Sequence, residues 1–458
     1  MIGGGEMSEA TTTLFVRGKY QLARYEPGSP ATGRRLTERE VLEAYGPQVF
    51  AEIDDQLSAV LLARAGAIEH AIREQRDALG MTRSELARAA NVAREIIDRA
   101  ETDAEQIELR ELEHLAFVLG LDPSKLSIDE RAGSDPDLGV RLRVLEIERV
   151  ATPTNAQLSA RTVLRFSEAA SIIRSHLLLQ RWLGKQNEAE RFETSSDYGP
   201  PAWRAGYALA RRARELLGIG IEPIDSMREL VEGRLGIPII QVALQQEIAG
   251  ATISSRGQRG IVLNIAGRSE NVWIRRTTLA HELAHLLFDP EAQLANVRVD
   301  SYEQIARDAE HDSQLPDYVE QRANAFAVEF LAPREAVKQF VPSPARVSAA
   351  SVAQVMSVFG VGRAAARFHV RNAWWGQAEL PDESTIQASP RGDQKAAEDY
   401  TLDFFRPRAT PEQRRGRFAF LVAKAVDTGL ITPDTAAQYL ACSEDDLNAA
   451  VPFLLGRA

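Results

Sequence analysis

Most of this chain sets its apolar residues at helical spacing, interrupted by polar segments and by two short β-branched runs. Residues 65–128 predict several short helices. A polar stretch at 129–138, with Gly133 and Pro136, predicts a linker. Helical spacing returns over 139–184, first with Val140, Leu142, Leu145 and Ile147, then with Val163, Phe166, Ile173 and Trp182. That stretch reads as a helical connector packed on its neighbours, with a dimerisation helix as the other option. A second polar segment, 185–201, closes on Pro200 and Pro201. Residues 203–217 then predict a helix ended by Gly218 and Gly220, and 237–242 and 260–264 predict strands bounded by glycine. Residues 203–380 therefore predict an α+β domain, a small sheet backed by helices. A third polar linker is expected at 381–397 and a helical C-terminal module at 398–458. The N-terminal segment 1–64 has no clear fold.

Within the α+β domain, His281, Glu282 and His285 form an HExxH pattern on a helical stretch ending at Phe288. Residues four apart on a helix lie one turn above each other, so both imidazoles can reach one ion. Glu282 is rotated by about 100° from His281, which puts its carboxylate beside such an ion, placed to take a proton from water. Leu283, Leu286 and Leu287 are expected to face the core.

Two histidines hold zinc poorly, so a third ligand is required. A second helical stretch carries Glu320, Ala323, Asn324 and Ala327 at i, i+3, i+4 and i+7, one narrow face whose alanines permit close approach. Glu320 would complete a His₂Glu site. Asn324, one turn on, is a candidate to bond the far nitrogen of a ligand histidine, or else a helix-packing residue. Glu329 competes for the ligand role, but nine residues on it is half a turn off that face.

The composition sets limits. At 458 residues the chain suggests about three domains. With 44% apolar and 26% charged residues it has the make-up of a folded globular protein. Its net charge of −11 gives no overall bias toward nucleic acid or anionic membranes. The single cysteine, Cys442, excludes an internal disulfide or a thiolate cluster, so any metal must rest on His, Asp or Glu. No secretory signal and no bilayer-spanning apolar run is visible, and a cytoplasmic location is expected.

With these pieces in place, 203–375 resembles the ImmA/IrrE family of metallopeptidases. The HExxH stretch from Arg276 to Phe288 and the second stretch from Glu320 to Pro333 carry the match. Gly206-Tyr207-Ala208 with Arg214-x-Leu216-Leu217-Gly218, Leu235-Gly236-Ile237-Pro238 and Gly250-Ala251-Thr252 add weaker support. The resemblance implies a zincin-like zinc endopeptidase that cleaves repressor-type transcription factors in stress, DNA-damage or mobile-element responses. It also implies Glu320 as third ligand. Glu282 would then be the general base, and His311 or Tyr318 a candidate oxyanion donor.

Residues 69–127 resemble the Xre-type helix-turn-helix family, through Gly80-Met81-Thr82, Glu85-Leu86-Ala87, Val92, Ile97 and Leu112 to Leu121. Thr82 is expected to cap the second helix, with Glu85 in a capping box. Arg83, Arg94 and Arg99 are the candidate DNA or docking contacts. Glu95 and Asp98 sit among them, and 70–128 holds eight Lys/Arg against twelve Asp/Glu, a net of −4. DNA binding and protein docking both remain open.

Further on, Thr432 and Pro433 predict a helix start. Cys442 reads as a buried structural thiol, and His70, His114, His176 and His369 as isolated structural residues. The sequence thus predicts a mostly α chain: an all-α helix-turn-helix domain at 65–128, an α+β zincin-like peptidase domain at 203–380, and a helical C-terminal module. The leading reading is a regulatory zinc endopeptidase with a protein substrate, DNA contact or homodimerisation being further expectations. The alternatives are a DNA-binding regulator using the zincin domain as a sensor, and an antitoxin-like interaction protein without turnover.

Overall fold

The computed structural model describes residues 12–15, 34–45, 47, 66–121, 158–185, 189, 192–193, 201–255, 258–290, 294, 298–301, 318–399 and 405–456. The chain divides into two compact units: Met1–Ile147 with Leu158–Gly184 and Phe404–Ala458, and Glu148–Gln157 with Lys185–Asp403. The expected linker at 129–138 and the first part of the 139–184 connector lie outside the described residues.

The first unit opens with β1 (Thr12–Phe15) paired antiparallel to β2 (Arg34–Thr37), followed by α1 (Glu38–Tyr45). Four helices follow: α2 (Ala67–Ala78), α3 (Arg83–Ala90), α4 (Arg94–Ala100) and α5 (Leu109–Val118). Thr82 and Glu85 form the expected capping box on α3, whereas α4 starts at Ala93 without a side-chain cap. Ile72, Leu86, Ile97, Leu112 and Leu115 are buried together with the Arg76–Glu101 ion pair, Nη2 to Oε2 3.0 Å. The single helix α6 (Ala160–Trp182) begins on Ser159 and packs against α3 and α5. Gly120 makes this approach possible: a Cβ there would lie 2.7 Å from Ser167 Oγ.

The unit is completed from far along the chain by α14 (Arg417–Asp427), α15 (Pro433–Leu440) and α16 (Glu444–Leu454). Thr432 caps α15 and Pro433 takes its first turn, as the sequence predicts. Buried Arg414 pairs with Glu168 of α6 at 3.0 Å and lies 3.9 Å from the Phe117 ring centroid. Residues 34–45 are tied here as well. Glu40 accepts from Thr432 N at 3.2 Å, and Arg35 meets Asp434 at 3.0 Å. The connector, the C-terminal helices and part of the N-terminal segment therefore share one unit.

The second unit begins with α7 (Ala202–Leu217), ended by Gly218 in the left-handed region. Its sheet has the order β3 (Ile239–Val242), β5 (Gln258–Asn264), β4 (Ile248–Ser255), β6 (Arg298–Ser301). β3 runs parallel to β5, while β4 is antiparallel to both neighbours and bulged between Ile248 and Gly250. Two of the four strands, β4 and β6, lie where the sequence reading expected none. β4 contains Ala249, Gly250 and Ala251, small residues of low strand propensity that let a helix lie close on the sheet.

That helix is α8 (Val272–Phe288), and it corrects a second expectation. Every residue of it except Ile274 is buried, so it does not present one apolar face; it runs through the unit's core. α9 (Tyr318–Leu331) packs on both α8 and α7. Gly206 is required at the second crossing, because a Cβ there would fall 2.3 Å from the Arg322 carbonyl. The helices α10 (Arg334–Phe340), α11 (Ala349–Phe359) and α12 (Arg363–Ala373) follow.

Residues 381–397 are not a free linker. They fold back on this unit through α13 (Gly392–Glu398). Glu398 is buried, forms an ion pair with Arg276 of α8, and accepts from Met227 N and Arg228 N at 2.8 and 3.0 Å. Most of its polar side chains, Asp382, Glu383, Arg391 and Asp393 among them, are exposed, so its composition reads as a linker although Gln394 and Glu398 anchor it to the unit.

Candidate metal centre

The site is built where α8 and α9 cross against β4. His281 and His285 project from successive turns of α8, and their Nε2 atoms lie 3.1 Å apart. Glu320, on the first turn of α9, brings Oε2 to 3.1 Å from His281 Nε2 and Oε1 to 3.6 Å from His285 Nε2. One ligand atom from each of the three lies within 4.8 Å of the others. Both histidines are fully buried and Glu320 is 8% exposed.

Each imidazole is held from behind. His281 Nδ1 is 2.8 Å from Asn324 Oδ1, and His285 Nδ1 is 2.8 Å from Asp289 Oδ2. With Nδ1–H donated to those oxygens, the Nε2 lone pairs of both rings face the Glu320 carboxylate. Three acceptors converging on one point are the donor set of a divalent cation, and two imidazoles with one carboxylate suit zinc. Burial works to raise the Glu320 carboxyl pKa. When the Nε2 atoms carry protons instead, the charge of His285 and hydrogen bonds from both rings overcome it and hold the group well below the usual carboxylate range.

Glu282 is also fully buried, and Thr252 Oγ1 donates to its Oε2 at 2.6 Å. The β4 backbone comes close here: a Cβ on Gly250 would lie 2.9 Å from Thr278 Cγ2 and 3.1 Å from Glu282 Oε1. Glu329, the rival carboxylate, is turned away from the metal group. It accepts from Arg334 N at 3.2 Å and lies 3.7 Å from His369 Nε2, and burial raises its pKa. Tyr318 begins α9 and is half-buried, while His311 lies outside the described residues.

Three residues at this site escaped the sequence reading. Asp289 orients His285, and Arg322, itself buried, pairs with Asp289. Asp289 stands four residues after His285, a spacing that would have marked it. Thr252 reaches Glu282 from a strand thirty residues earlier; the sequence marks it only within Gly250-Ala251-Thr252 and gives no sign of this contact.

Residues 233–371 match the Peptidase_M78 family model, described as an IrrE N-terminal-like domain. The matched stretch contains α8, α9 and the sheet, so a metallopeptidase-type domain occupies this part of the second unit. The match spans 139 of 458 residues. A comparison with curated proteins finds no match to the chain.

Elsewhere the candidate residues are placed as follows. Arg83 Nε is 2.8 Å from Glu101 Oε2 and its Nη1 3.3 Å from Asp98 Oδ1, which Arg94 Nε also meets at 3.1 Å. Arg99 is exposed on α4. Cys442 is half-buried, and its thiol is pushed up to about 11, mostly by burial, against the pull of nearby Arg414. Burial takes His176 down to about 3 and His369 to about 4. His114 meets the Ala90 carbonyl at 3.2 Å, and exposed His70 lies 3.6 Å from Glu74. Among the described residues, no single helix is long and apolar enough to cross a membrane.

Proposed function

We propose that this chain is a zinc-dependent endopeptidase that cleaves a repressor-type transcription factor. The observation that carries the reading is the convergence of His281, His285 and Glu320 within 4.8 Å, with the buried Glu282 beside them. Those three residues would hold the ion. Zinc, when bound, supplies Lewis acidity toward water and a peptide carbonyl. Glu282 takes the proton of the attacking water and returns it to the leaving amine. Thr252 fixes one Glu282 oxygen and so limits the carboxylate to one orientation. Asn324 and Asp289 hold the two rings with their Nε2 atoms inward.

A transcription-factor substrate is favoured by the likeness of 233–371 to an IrrE-type domain. The helix-turn-helix-like stretch 65–128 would serve as the docking module. Its Arg83 and Arg94 spend their charge on Asp98 and Glu101, which suits a protein partner better than phosphate.

The test begins with metal analysis of wild type, His285→Ala and Glu320→Ala. About one zinc per wild-type chain, lost in both variants, is expected. Wild type should then cut a repressor at a single bond, and Glu282→Ala should bind zinc without cutting. Zinc retained by both ligand variants, or cleavage by Glu282→Ala, would overturn the reading.

A further inference from the structure

The second unit ends α12 with a tryptophan where the backbone favours glycine. Gly376 N donates to the Arg371 carbonyl at 3.0 Å across the end of that helix, and Trp375 before it has φ +55°. Such a turn ordinarily takes glycine at this position, since a Cβ is disfavoured in the left-handed region. The Trp375 side chain is 63% exposed, more than any other large apolar side chain among the described residues.

Trp375 belongs to an aromatic cluster built around one cation. Arg334, which opens α10, brings its guanidinium over both the Trp375 and the Tyr207 rings, with Cζ 4.9 and 4.7 Å from their centroids. Trp203 of α7 meets the same two rings edge-on, at 6.2 and 5.8 Å. Behind the guanidinium, Glu329 Oε2 lies 3.6 Å from Arg334 Nε, too far for a hydrogen bond, and Nε is buried without a hydrogen-bond partner. Nη1 and Nη2 make no hydrogen bond among the described residues and are not sealed from water, in a side chain 14% exposed. The rings therefore hold a guanidinium fork in place with its outer edge unused. A fork fixed in advance is suited to a planar, two-oxygen acceptor.

Further cations lie on the same side. Residues 202–214 hold four arginines and no Asp or Glu. Arg212 and Arg214 are spent, the first on Glu193 and the second on the carbonyls of Gly220, Glu222 and Phe330. Arg204 and Arg211 are exposed. Arg204 lies 5.1 Å from the Trp203 ring centroid, and Arg211 stands one turn beyond Tyr207, close enough to act on Glu329. Buried Glu329 and exposed Glu335 oppose Arg204, Arg211 and Arg334. The small positive balance that remains suits one or two carboxylates and not a strand of phosphates.

We infer that Arg334, Trp375, Trp203, Arg204 and Arg211 form a docking site for an acidic segment of another protein. One carboxylate of that segment takes the Nη edge of Arg334 as a pair of hydrogen bonds, and a neighbouring apolar side chain covers the Trp375 ring. Charge complementarity assigns the carboxylate, and tryptophan, tyrosine and arginine are the side chains that carry most binding energy between proteins. Glu320 is on the first turn of α9 and Arg334 follows its last, so the site lies at the other end of that helix from the metal group and does not rest on it.

Isothermal titration calorimetry of the full chain tests this with a short, end-blocked peptide that alternates Glu with Leu and Phe. The same peptide with Gln for Glu is the control. Saturable binding of the acidic peptide with a blue shift of tryptophan emission is expected, and no binding of the control. Trp375→Gly should keep the fold, because glycine suits the left-handed backbone, and should weaken binding about tenfold or more. Arg334→Lys should weaken it comparably, since an ammonium keeps the charge and loses the fork. If Arg334→Lys fails to fold by circular dichroism, Arg204→Gln with Arg211→Gln on the exposed face of α7 replaces it, and weaker binding is again expected. No binding by wild type, equal binding of the control, or wild-type affinity in any of these variants would overturn the inference. So would displacement of the acidic peptide by duplex DNA at equal charge, which would assign the surface to nucleic acid.

Discussion

Arg322 and Asp289 form an ion pair sealed from solvent, and the second oxygen of Asp289 holds Nδ1 of His285. Arg322 lies two residues after Glu320. The pair therefore ties the helix bearing the carboxylate ligand to the helix bearing both histidines, and ring orientation depends on it.

Asp289→Ala should lower zinc affinity by about 10- to 100-fold, read by chelator competition. Arg322→Met should instead act on stability, leaving a buried carboxylate without its cation at a cost of about 3–5 kcal/mol in the unit's unfolding. Wild-type zinc affinity in Asp289→Ala would show that His285 is oriented by other contacts.

Thr252 Oγ1 donates to Glu282, the proposed general base, at 2.6 Å. Thr252→Val should keep full zinc content yet lower kcat about 10-fold or more, because a hydrogen bond to a charged, buried carboxylate is lost. Thr252→Ser should recover most of it. A fall in zinc content equal to the fall in kcat would assign Thr252 to the fold and not to Glu282.

The convergence of His281, His285 and Glu320 is legible in the sequence because all three sit on helices, where spacing alone fixes direction. Asn324 follows from the same periodicity. Thr252 is not legible: it depends on how β4 lies under α8, and only the small side chains at 249–251 permit that approach. The strand itself was hidden for the same reason, since alanine and glycine carry little β signal. Residues 381–397 misled through composition. Polar residues usually mark solvent, and here Gln394 donates to the Ser357 carbonyl at 2.9 Å while Glu398 is buried.

Glu398 should accordingly behave as a core residue. Glu398→Ala leaves Arg276 buried without its carboxylate and two backbone amides without their acceptor, and a loss of about 3–5 kcal/mol is expected. Thermal or urea unfolding of the second unit reads it. Truncation after residue 380 should have an effect at least as large, and a stable zinc-binding fragment ending there would contradict the docked segment.

His369 gives the second unit an acid limit. Burial is the largest influence and lowers its pKa to about 4, although its bond to the Ala332 carbonyl works the other way. Unfolded, the ring titrates near its ordinary value of 6.5. The unfolded chain then binds a proton that the folded unit refuses, so stability is full above about 6.5 and falls as pH drops toward about 4. The slope contributed is about 1.4 kcal/mol per pH unit. His369→Gln should flatten the profile in that window; an unchanged slope would place the acid sensitivity on other groups.

The first unit draws on residues before 148, on 158–184 and again on residues after 403, whereas the second is almost wholly contained in 185–403. During synthesis the second unit therefore leaves the ribosome with all but its first ten residues contiguous and free to fold at once. The first unit must wait, with the surfaces of α5 and α6 that Arg414 meets uncovered, until Arg414 and α14 to α16 emerge. A stalled or prematurely released chain would hold a finished second unit and an unfinished first one, exposing apolar surface that chaperones and proteases recognise.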